Sequence, residues 1–240
     1  MRLVVMTTFP AAGPLFVGGT LAKHAQNGDD CYLVSLSAGE AMTNIVPEEQ
    51  LIKDNTRNLK EAARVLGIRE ARVLDFKDTD ISNSPELKMV VNNLIRELKP
   101  DLLITHTTNS THPDFKEAAN AVVDASFLAM LQAGKWARDF DALGSHMVSK
   151  LFTFEVPEFT VGFEPDVFID ITDYIDVKTE AVGCLRTSRE LGWEDIEKWT
   201  SRFLGQNRYW GQHSGVKYAE PFKRMRTHEI HIRASEYLSR

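Results

Sequence analysis

The sequence predicts an α/β protein with a mainly parallel sheet and helices on both of its faces. Short apolar runs alternate with longer stretches in which apolar residues recur at helical spacing. The connections between them are short, and Gly or Pro often ends an element. Four such strand–helix units follow one another within about residues 1–135, which is typical of a doubly wound sheet.

The elements of this core follow from local signals. The predicted strands cover residues 2–6, 31–36, 71–76 and 101–106. The first helix is expected from Gly18 to Gly28, and the second from Glu48 to Leu66 with Gly67 as its stop. Ser84 and Pro85 begin the third helix as cap and first residue. The fourth begins at Pro113, after Thr111 or His112 as cap.

The second half is less regular and is expected to complete the same domain. Strands are predicted at 150–156, 166–172 and 227–232, and helices at 173–191 and 194–212. There is no repeat, low-complexity tract or Gly/Ser linker. We therefore expect one domain over residues 1–240, with its core in 1–135 and C-terminal embellishments in 136–240.

Composition excludes several classes of function. The formal charge is −6, and Lys and Arg are scattered, so nothing indicates a partner that is a nucleic acid or a membrane. The apolar run at residues 2–6 is too short for a signal peptide or a membrane span. Cys31 and Cys184 form no CxxC pair and fit two reduced thiols. We expect a cytoplasmic protein.

The candidate site lies in the loops after the strands, because ligands of doubly wound sheets bind beyond the carboxyl ends of the strands. The first loop, "TTFPAAGPLFVGG", offers no titratable side chain. The polar candidates of the other three loops are Glu40, then Asp78 and Asp80, then His106, Asn109, His112 and Asp114. The last loop leads into a helix N-terminus, which favours anionic groups.

Each candidate also has an ordinary structural interpretation, which composition alone favours. His112 or Thr111 can cap the helix while Asp114 complements its dipole. Glu40 fits a solvated turn, and aspartates such as Asp78 commonly end turns. Phe115 lies on the apolar stripe of the fourth helix and fits the core.

Several segments, taken in order, resemble a known family. They are "FPAAGPLFVGGTLAKHAQNG", "LSAGE", "AARVLGI" before "VLDFKD", "HPDF", "DVFIDITDYIDVKTEA" and "GVKYAEPF". This series resembles the LmbE-like or PIG-L family of zinc-dependent de-N-acetylases, which act on amides of the N-acetylglucosamine type. The resemblance implies a Rossmann-like fold and a homo-oligomer.

The resemblance also implies which positions would form a zinc site. The family motif A-H-P-D-D-x-E-L-G-x-G-G-T falls on Thr8 to Thr20. It places the zinc-binding His at Phe9, the general-base Asp at Ala11 and the zinc-binding Asp at Ala12. The third ligand, the last His of H-P-D-H, falls on Phe115.

Other positions match the family's functional residues. His112, an acid or oxyanion stabiliser in the family, is retained beside Asp114. Glu40 matches the family's "GE". Arg57 matches a substrate-binding Arg. With these we group Asn109, His106 and Tyr218 as candidates that shape the substrate pocket.

These replacements predict that the protein has no zinc and no other cofactor. Catalytic zinc needs about three ligands from His, Asp, Glu or Cys, and it activates a bound water. Phe and Ala donate no lone pair. We expect Phe9 and Phe115 to face each other and fill the former metal pocket, where each buried ring contributes about 1.5–3 kcal/mol.

Three functions remain open. The preferred one is a non-catalytic protein that binds a sugar- or thiol-containing small molecule or serves in an assembly. The alternative is a metal-independent hydrolase, lyase or hydratase, with His112 as acid/base oriented by Asp114. The third is a deacetylase whose metal has moved to another site.

Overall fold

The computed structural model describes residues 1–42, 45–132, 143–185 and 196–225, and within these ranges seven strands form one sheet. The strands are β1 Arg2–Thr7, β2 Asp30–Ser35, β3 Glu70–Val73, β4 Leu102–His106, β5 Lys150–Phe154, β6 Val167–Asp170 and β7 Ala219–Arg224. The helices are α1 Ala12–Gln26, α2 Glu48–Leu66, α3 Pro85–Leu98, α4 Pro113–Leu128, α5 Ile175–Gly183 and α6 Ile196–Ser214.

The strand order is β3-β2-β1-β4-β5-β7-β6. The first five strands are parallel, and β7 runs antiparallel to both of its neighbours. The winding reverses between β1 and β4, and a crevice for a ligand forms at such a switch point. This architecture confirms the predicted α/β class, with the mixed part of the sheet supplied by the C-terminal strands.

Two apolar layers cover the sheet. Leu3 and Val5 of β1 point to the layer that contains α1, α2 and α5. Val4 and Met6 point to the other layer, which contains α3 and α4. Because β1 is buried on both faces, its sequence is a continuous apolar run rather than an alternating one.

Most core elements have the predicted ends. Helix α2 covers Glu48–Leu66 as expected, and Gly67 ends it in the left-handed region with φ +70°. Ser84 caps α3 by accepting a hydrogen bond from the Leu87 N–H. Capping of α4 is weaker than predicted, because His112 occupies the cap position without a side-chain hydrogen bond.

The expected start of one helix needs correction, and one strand was not predicted. Helix α1 begins at Ala12 and not at Gly18, since Pro14 is tolerated in a first turn and Gly13 packs directly on Leu33. The sequence did not predict β7, which the segment "AEPFKR" forms. The strand predicted at 227–232 lies outside the described residues. Pro221 is compatible with β7 because the ladder with β5 pairs only residues 223 and 224.

A buried polar network joins α1 to the C-terminal elements. The Glu220 carboxylate of β7 accepts hydrogen bonds from the Gly19 and Thr20 N–H groups at 2.9 and 2.7 Å. It also binds the Lys178 Nζ of α5 at 2.7 Å, and that ammonium donates to Asn207 Oδ1 of α6 at 2.8 Å. None of the helices in the described ranges is long and apolar enough to cross a membrane.

Candidate functional site

The carboxyl ends of β1 to β5 lie at one edge of the sheet, where their following loops meet. His106 is the last residue of β4, and His112, six residues later, occupies the cap position before α4. Glu40 follows β2, and Asp78 follows β3. The parallel register therefore brings together most of the candidates from the second, third and fourth loops.

Four rings form what we call the aromatic stack: Phe9, His106, His112 and Phe115. Phe115 is at its centre, with ring centroids 5.8 Å from Phe9, 4.7 Å from His106 and 4.2 Å from His112. All three ring pairs are stacked. The expectation that Phe9 and Phe115 face each other is confirmed.

The aromatic stack is continuous with the main core. Phe115 and Ala12 are buried members of the larger apolar cluster, and Phe9 and Ala11 pack against it. The four positions that the family resemblance assigns to zinc ligands and base thus form an apolar contact. Ordinary hydrophobic packing accounts for these residues.

His106 lies beneath the surface of this site, with 1% of its area exposed. Its Nε2 accepts a hydrogen bond from the Thr8 N–H at 3.2 Å, so its proton belongs on Nδ1. Burial, helped by nearby His112, lowers the pKa of His106 to about 3. The side chain is a neutral, buried part of the core, and its described polar contacts are with Thr8.

His112 is the exposed end of the aromatic stack. One ring face lies on Phe115, and the ring meets Phe159 edge to face at 5.2 Å. Its Nδ1 is buried and has no hydrogen-bond partner in the described part of the chain. The ring is held by packing, and this buried nitrogen is a polar atom that packing alone does not satisfy.

A carboxylate cluster of Glu40, Asp78 and Asp114 lies beside His112. The Asp78 N–H donates to Glu40 Oε1 at 3.0 Å, and the Thr79 N–H donates to Asp114 Oδ2 at 2.7 Å. Burial, followed by the charges of Asp114 and Glu40, raises the pKa of Asp78. Burial also raises the pKa of Asp114.

Asp114 has a different local role from the one expected. Its carboxylate accepts from the Thr79 and Ile81 backbone and so fixes the loop after β3. Thr79 has φ +70°, a conformation that costs free energy in a residue other than glycine and that this hydrogen bond helps to hold. Asp114 is near enough to His112 to interact electrostatically, but its described hydrogen bonds go to the loop.

The segment after β5 packs over the loop that carries His112. The Phe159 carbonyl accepts from the Thr111 N–H at 2.7 Å and from Ser110 Oγ at 2.9 Å. The Val161 N–H donates to the Asn109 carbonyl at 3.2 Å. Asn109 thus contributes through its backbone, and Phe159, 39% exposed, supplies an apolar surface at the rim.

Two sequence candidates lie apart from this group. Arg57 is exposed on α2, where its guanidinium pairs with Asp54 at 2.8 Å. Tyr218 precedes β7, and its backbone bonds to Ile171 and Thr172 beside β6. Neither has a described contact with the aromatic stack or the carboxylate cluster.

Sequence reasoning missed Glu155, which directly follows β5 at the same sheet edge. Its Oε1 accepts from Gln206 Nε2 at 3.3 Å and from Trp210 Nε1 at 3.2 Å. Burial raises the pKa of this carboxyl. A lone acidic residue in the apolar run "KLFTFEV" was the available signal.

The donor set at the positions assigned to zinc does not fit the ion. Phe9, Ala11, Ala12 and Phe115 have no side-chain atom that can coordinate a metal. Across the described ranges, no three His, Cys, Asp or Glu side chains are grouped so that they could hold a metal ion. Chemistry at this edge therefore has to be derived from His112 and the carboxylates.

Comparisons with known proteins agree with the sequence motifs. Residues 14–126 match the family model described as PIG-L, GlcNAc-PI de-N-acetylase. Over 214 residues the chain is 27% identical to diacetylchitobiose deacetylase of Thermococcus kodakarensis, covering 85% of this chain and 75% of that protein. A 4-oxalmesaconate hydratase of Pseudomonas putida is 26% identical over 187 residues, 74% of this chain and 69% of the hydratase.

A solved structure gives the same fold over nearly the whole length. The crystal structure of a conserved protein of Thermus thermophilus superposes with a TM-score of 0.77 at 28% identity. The match covers 92% of this chain and 93% of that one. The relatives thus include deacetylases and a hydratase, and the match to the PIG-L family that the sequence motifs predicted is confirmed.

Proposed function

We propose that this protein binds a small molecule at the carboxyl edge of its sheet without zinc, and that it is not a zinc-dependent N-deacetylase. The observation that carries the proposal is the stacking of Phe9 on Phe115 at 5.8 Å. Two rings and two alanines stand where the family resemblance places three zinc ligands and the general base. The retained Glu40, His112 and Asp114 leave polar groups for a ligand.

The replacements act together in physical terms. Without a cation, carboxylates at positions 11 and 12 would repel each other and would lose solvation on burial. Alanine removes both penalties. The rings at 9 and 115 fill the space and contribute about 0.5–1.5 kcal/mol as an aromatic pair beyond their burial.

Metal content and turnover test this proposal together. We expect protein produced in zinc-supplemented medium to carry less than stoichiometric zinc in elemental analysis. We also expect no release of acetate from N-acetylglucosaminyl substrates, with or without a chelator. One bound zinc per chain, or deacetylation that a chelator abolishes, would overturn the proposal.

The second candidate function is a metal-independent lyase or hydratase. Two observations favour it: the unpartnered Nδ1 of His112, and the neighbouring carboxyls of Asp78 and Asp114 with raised pKa values, which can hold a proton at higher pH than usual. A relative named as a hydratase supports this reaction class. In this reaction His112 would act as the acid or base, and the neighbouring carboxyls would hold or return the proton.

Substitution at residue 112 distinguishes the two candidates. If the protein is a hydratase or lyase, His112→Gln reduces kcat by about 100-fold or more, the usual contribution of a general acid or base. His24→Gln, the same change at a histidine in the last turn of α1 whose Nδ1 pairs with Asp29 at 2.7 Å, should leave kcat nearly unchanged. Turnover that is insensitive to His112→Gln would exclude this mechanism.

Cellular context and assembly remain proposals as well. We propose a cytoplasmic homo-oligomer whose partner is a small molecule and neither a nucleic acid nor a membrane. Sedimentation of the purified protein, with and without added DNA or anionic vesicles, tests these points. A monomer in this experiment would contradict the oligomer.

A further inference from the structure

The carboxylate of Glu40 is only half satisfied. Its Oε1 accepts the Asp78 N–H at 3.0 Å. Its Oε2 is buried and finds no hydrogen-bond partner in the described ranges, although the residue as a whole is only 7% exposed. Leaving a buried charged acceptor without a donor is expensive, so such an atom indicates a missing partner.

The surroundings of Glu40 determine which partner would be favourable. Burial raises the pKa of Asp78, and the nearby charges of Asp114 and Glu40 raise it further. Asp80 adds another carboxylate near Asp114. Lys77 feels the charge of Glu40, but its Nζ binds Glu48 Oε1 at 2.7 Å. An excess of negative charge therefore remains around the unpartnered oxygen.

Apolar ring surface adjoins these charges. Asp78 is close enough to His112 to interact electrostatically. The His112 ring in turn meets Phe159 at 5.2 Å, and Phe159 is partly exposed at the rim. Aromatic rings beside carboxylates favour ligands that combine positive charge with a carbon skeleton.

We propose that this site binds an organic cation, a protonated amine whose ammonium group donates to Glu40 Oε2 and whose skeleton lies against His112 and Phe159. The inference rests on the proposed metal-free binding function and names its ligand class. An ammonium group suits the site because it brings its own charge and three donors. A bare metal ion does not, because no suitable group of ligands exists among the described side chains.

Calorimetric titration of the full chain tests the charge requirement. Two matched pairs serve as probes: glucosamine against N-acetylglucosamine, and benzylamine against benzyl alcohol. We expect at least one amine to bind, and its uncharged partner to bind at least about tenfold more weakly, as for the loss of a charge-assisted hydrogen bond.

Variants of two glutamates give the control. Glu40→Gln keeps an oxygen for the Asp78 N–H but removes the charge, and we expect it to weaken amine binding by about 10- to 100-fold. Glu48→Gln, an equivalent change on the exposed pair with Lys77, should bind like the wild type. The melting temperature of Glu40→Gln should be unchanged or higher, because a charge among carboxylates is removed.

The outcomes separate this inference from the proposed function. If an amine and its uncharged partner bind equally, or if Glu40→Gln binds the amine like the wild type, the proposal of an organic cation is wrong. Neither result would contradict the proposal that the protein binds a small molecule without zinc. Absence of binding by all four probes would overturn the organic cation too, while zinc content and deacetylation still decide the proposed function. A lower melting temperature in Glu40→Gln would show that Glu40 serves the fold instead.

Discussion

Phe115 illustrates how one residue changes the chemistry of a site. Its ring contacts Phe9, His106 and His112, and these packing contacts link the first and fourth loops. A histidine acting as a zinc ligand at this position would link the loops through the metal ion instead. The sequence predicted the pairing with Phe9 because the family resemblance places two ligands of the same zinc site at these positions. It did not predict the stacking of both histidines on the same ring, since side-chain directions depend on the loops.

Asp78 allows a prediction about charge at the site. The pKa of Asp78 is higher in the folded protein than in the unfolded chain, so folding favours the protonated carboxyl. The stability that this group contributes at low pH is therefore lost as the pH rises through the raised pKa. Asp78→Asn should therefore raise the melting temperature at pH 7. The gain should shrink as the pH falls toward 4, which calorimetric scans at several pH values would measure. If the rise in melting temperature became larger as the pH falls, it would contradict a raised pKa for Asp78.

His106 predicts the opposite dependence on pH. Its folded pKa of about 3 lies below the ordinary 6.5, so only the unfolded chain takes up this proton between those values. Stability should fall as the pH drops below 6.5, by up to about 1.4 kcal/mol per pH unit from this group. Denaturant titrations at several pH values measure this slope.

A variant shows how much of the pH dependence of stability comes from His106. His106→Phe keeps a ring in the stack but leaves the Thr8 N–H without its acceptor, at a cost of about 1–3 kcal/mol at pH 7. The difference from the wild type should narrow on acidification, because the variant has no imidazole to protonate. A constant difference would mean that His106 is protonated normally in the fold.

At the scale of elements, α1 explains why the segment "VGGTLAK" was so informative. A Cβ at Gly19 would lie 2.8 Å from three side-chain atoms of Ile171, and one at Gly18 would lie 3.2 Å from Lys178 Cγ. The two glycines thus allow α1 to approach α5 and the turn before it. The sequence predicted a helix here, but the reason for its glycines became evident only from the packing.

Gly19→Ala should therefore destabilise the protein although alanine favours helices. We expect a loss of about 1–3 kcal/mol, as for overpacking in a core. Gly205→Ala in α6 is the matched control, because no atom lies within 4 Å of its added Cβ. It should stabilise by up to about 1 kcal/mol. Equal effects of the two changes in urea titrations would contradict the close approach.

At the scale of the whole molecule, the buried network around Glu220 joins segments that are about 200 residues apart. Its carboxylate binds two N–H groups of α1 and the ammonium of Lys178, which is 3% exposed. The segments "VGGTLAK", "DYIDVKTEA" and "YAEPF" that carried the family resemblance therefore meet in one place. Their contacts give these three segments a role in the fold that requires no metal ion.

Breaking this network should affect the whole fold. Lys178→Met leaves Glu220 as an uncompensated buried charge, and we expect a loss of about 3–5 kcal/mol in the free energy of unfolding. Lys77→Met breaks an exposed pair of the same type and should change stability little. A small effect of Lys178→Met in denaturant titrations would mean that Glu220 is satisfied by the α1 backbone alone.

The sequence by itself predicted the fold class and the match to the PIG-L family model, because apolar periodicity, glycine stops and motif order are local properties of the chain. The pairing of Phe9 with Phe115 was predicted from the family resemblance. It also identified Glu40, His112 and Asp114 by their positions after strands. Only the tertiary structure decided that Arg57 and Tyr218 lie apart, that Asp114 binds the loop after β3, and that Glu40 keeps one oxygen unpartnered. These positions and contacts depend on how loops that are distant in sequence pack together at one edge of the sheet. The periodicity of residues along the chain does not predict that packing.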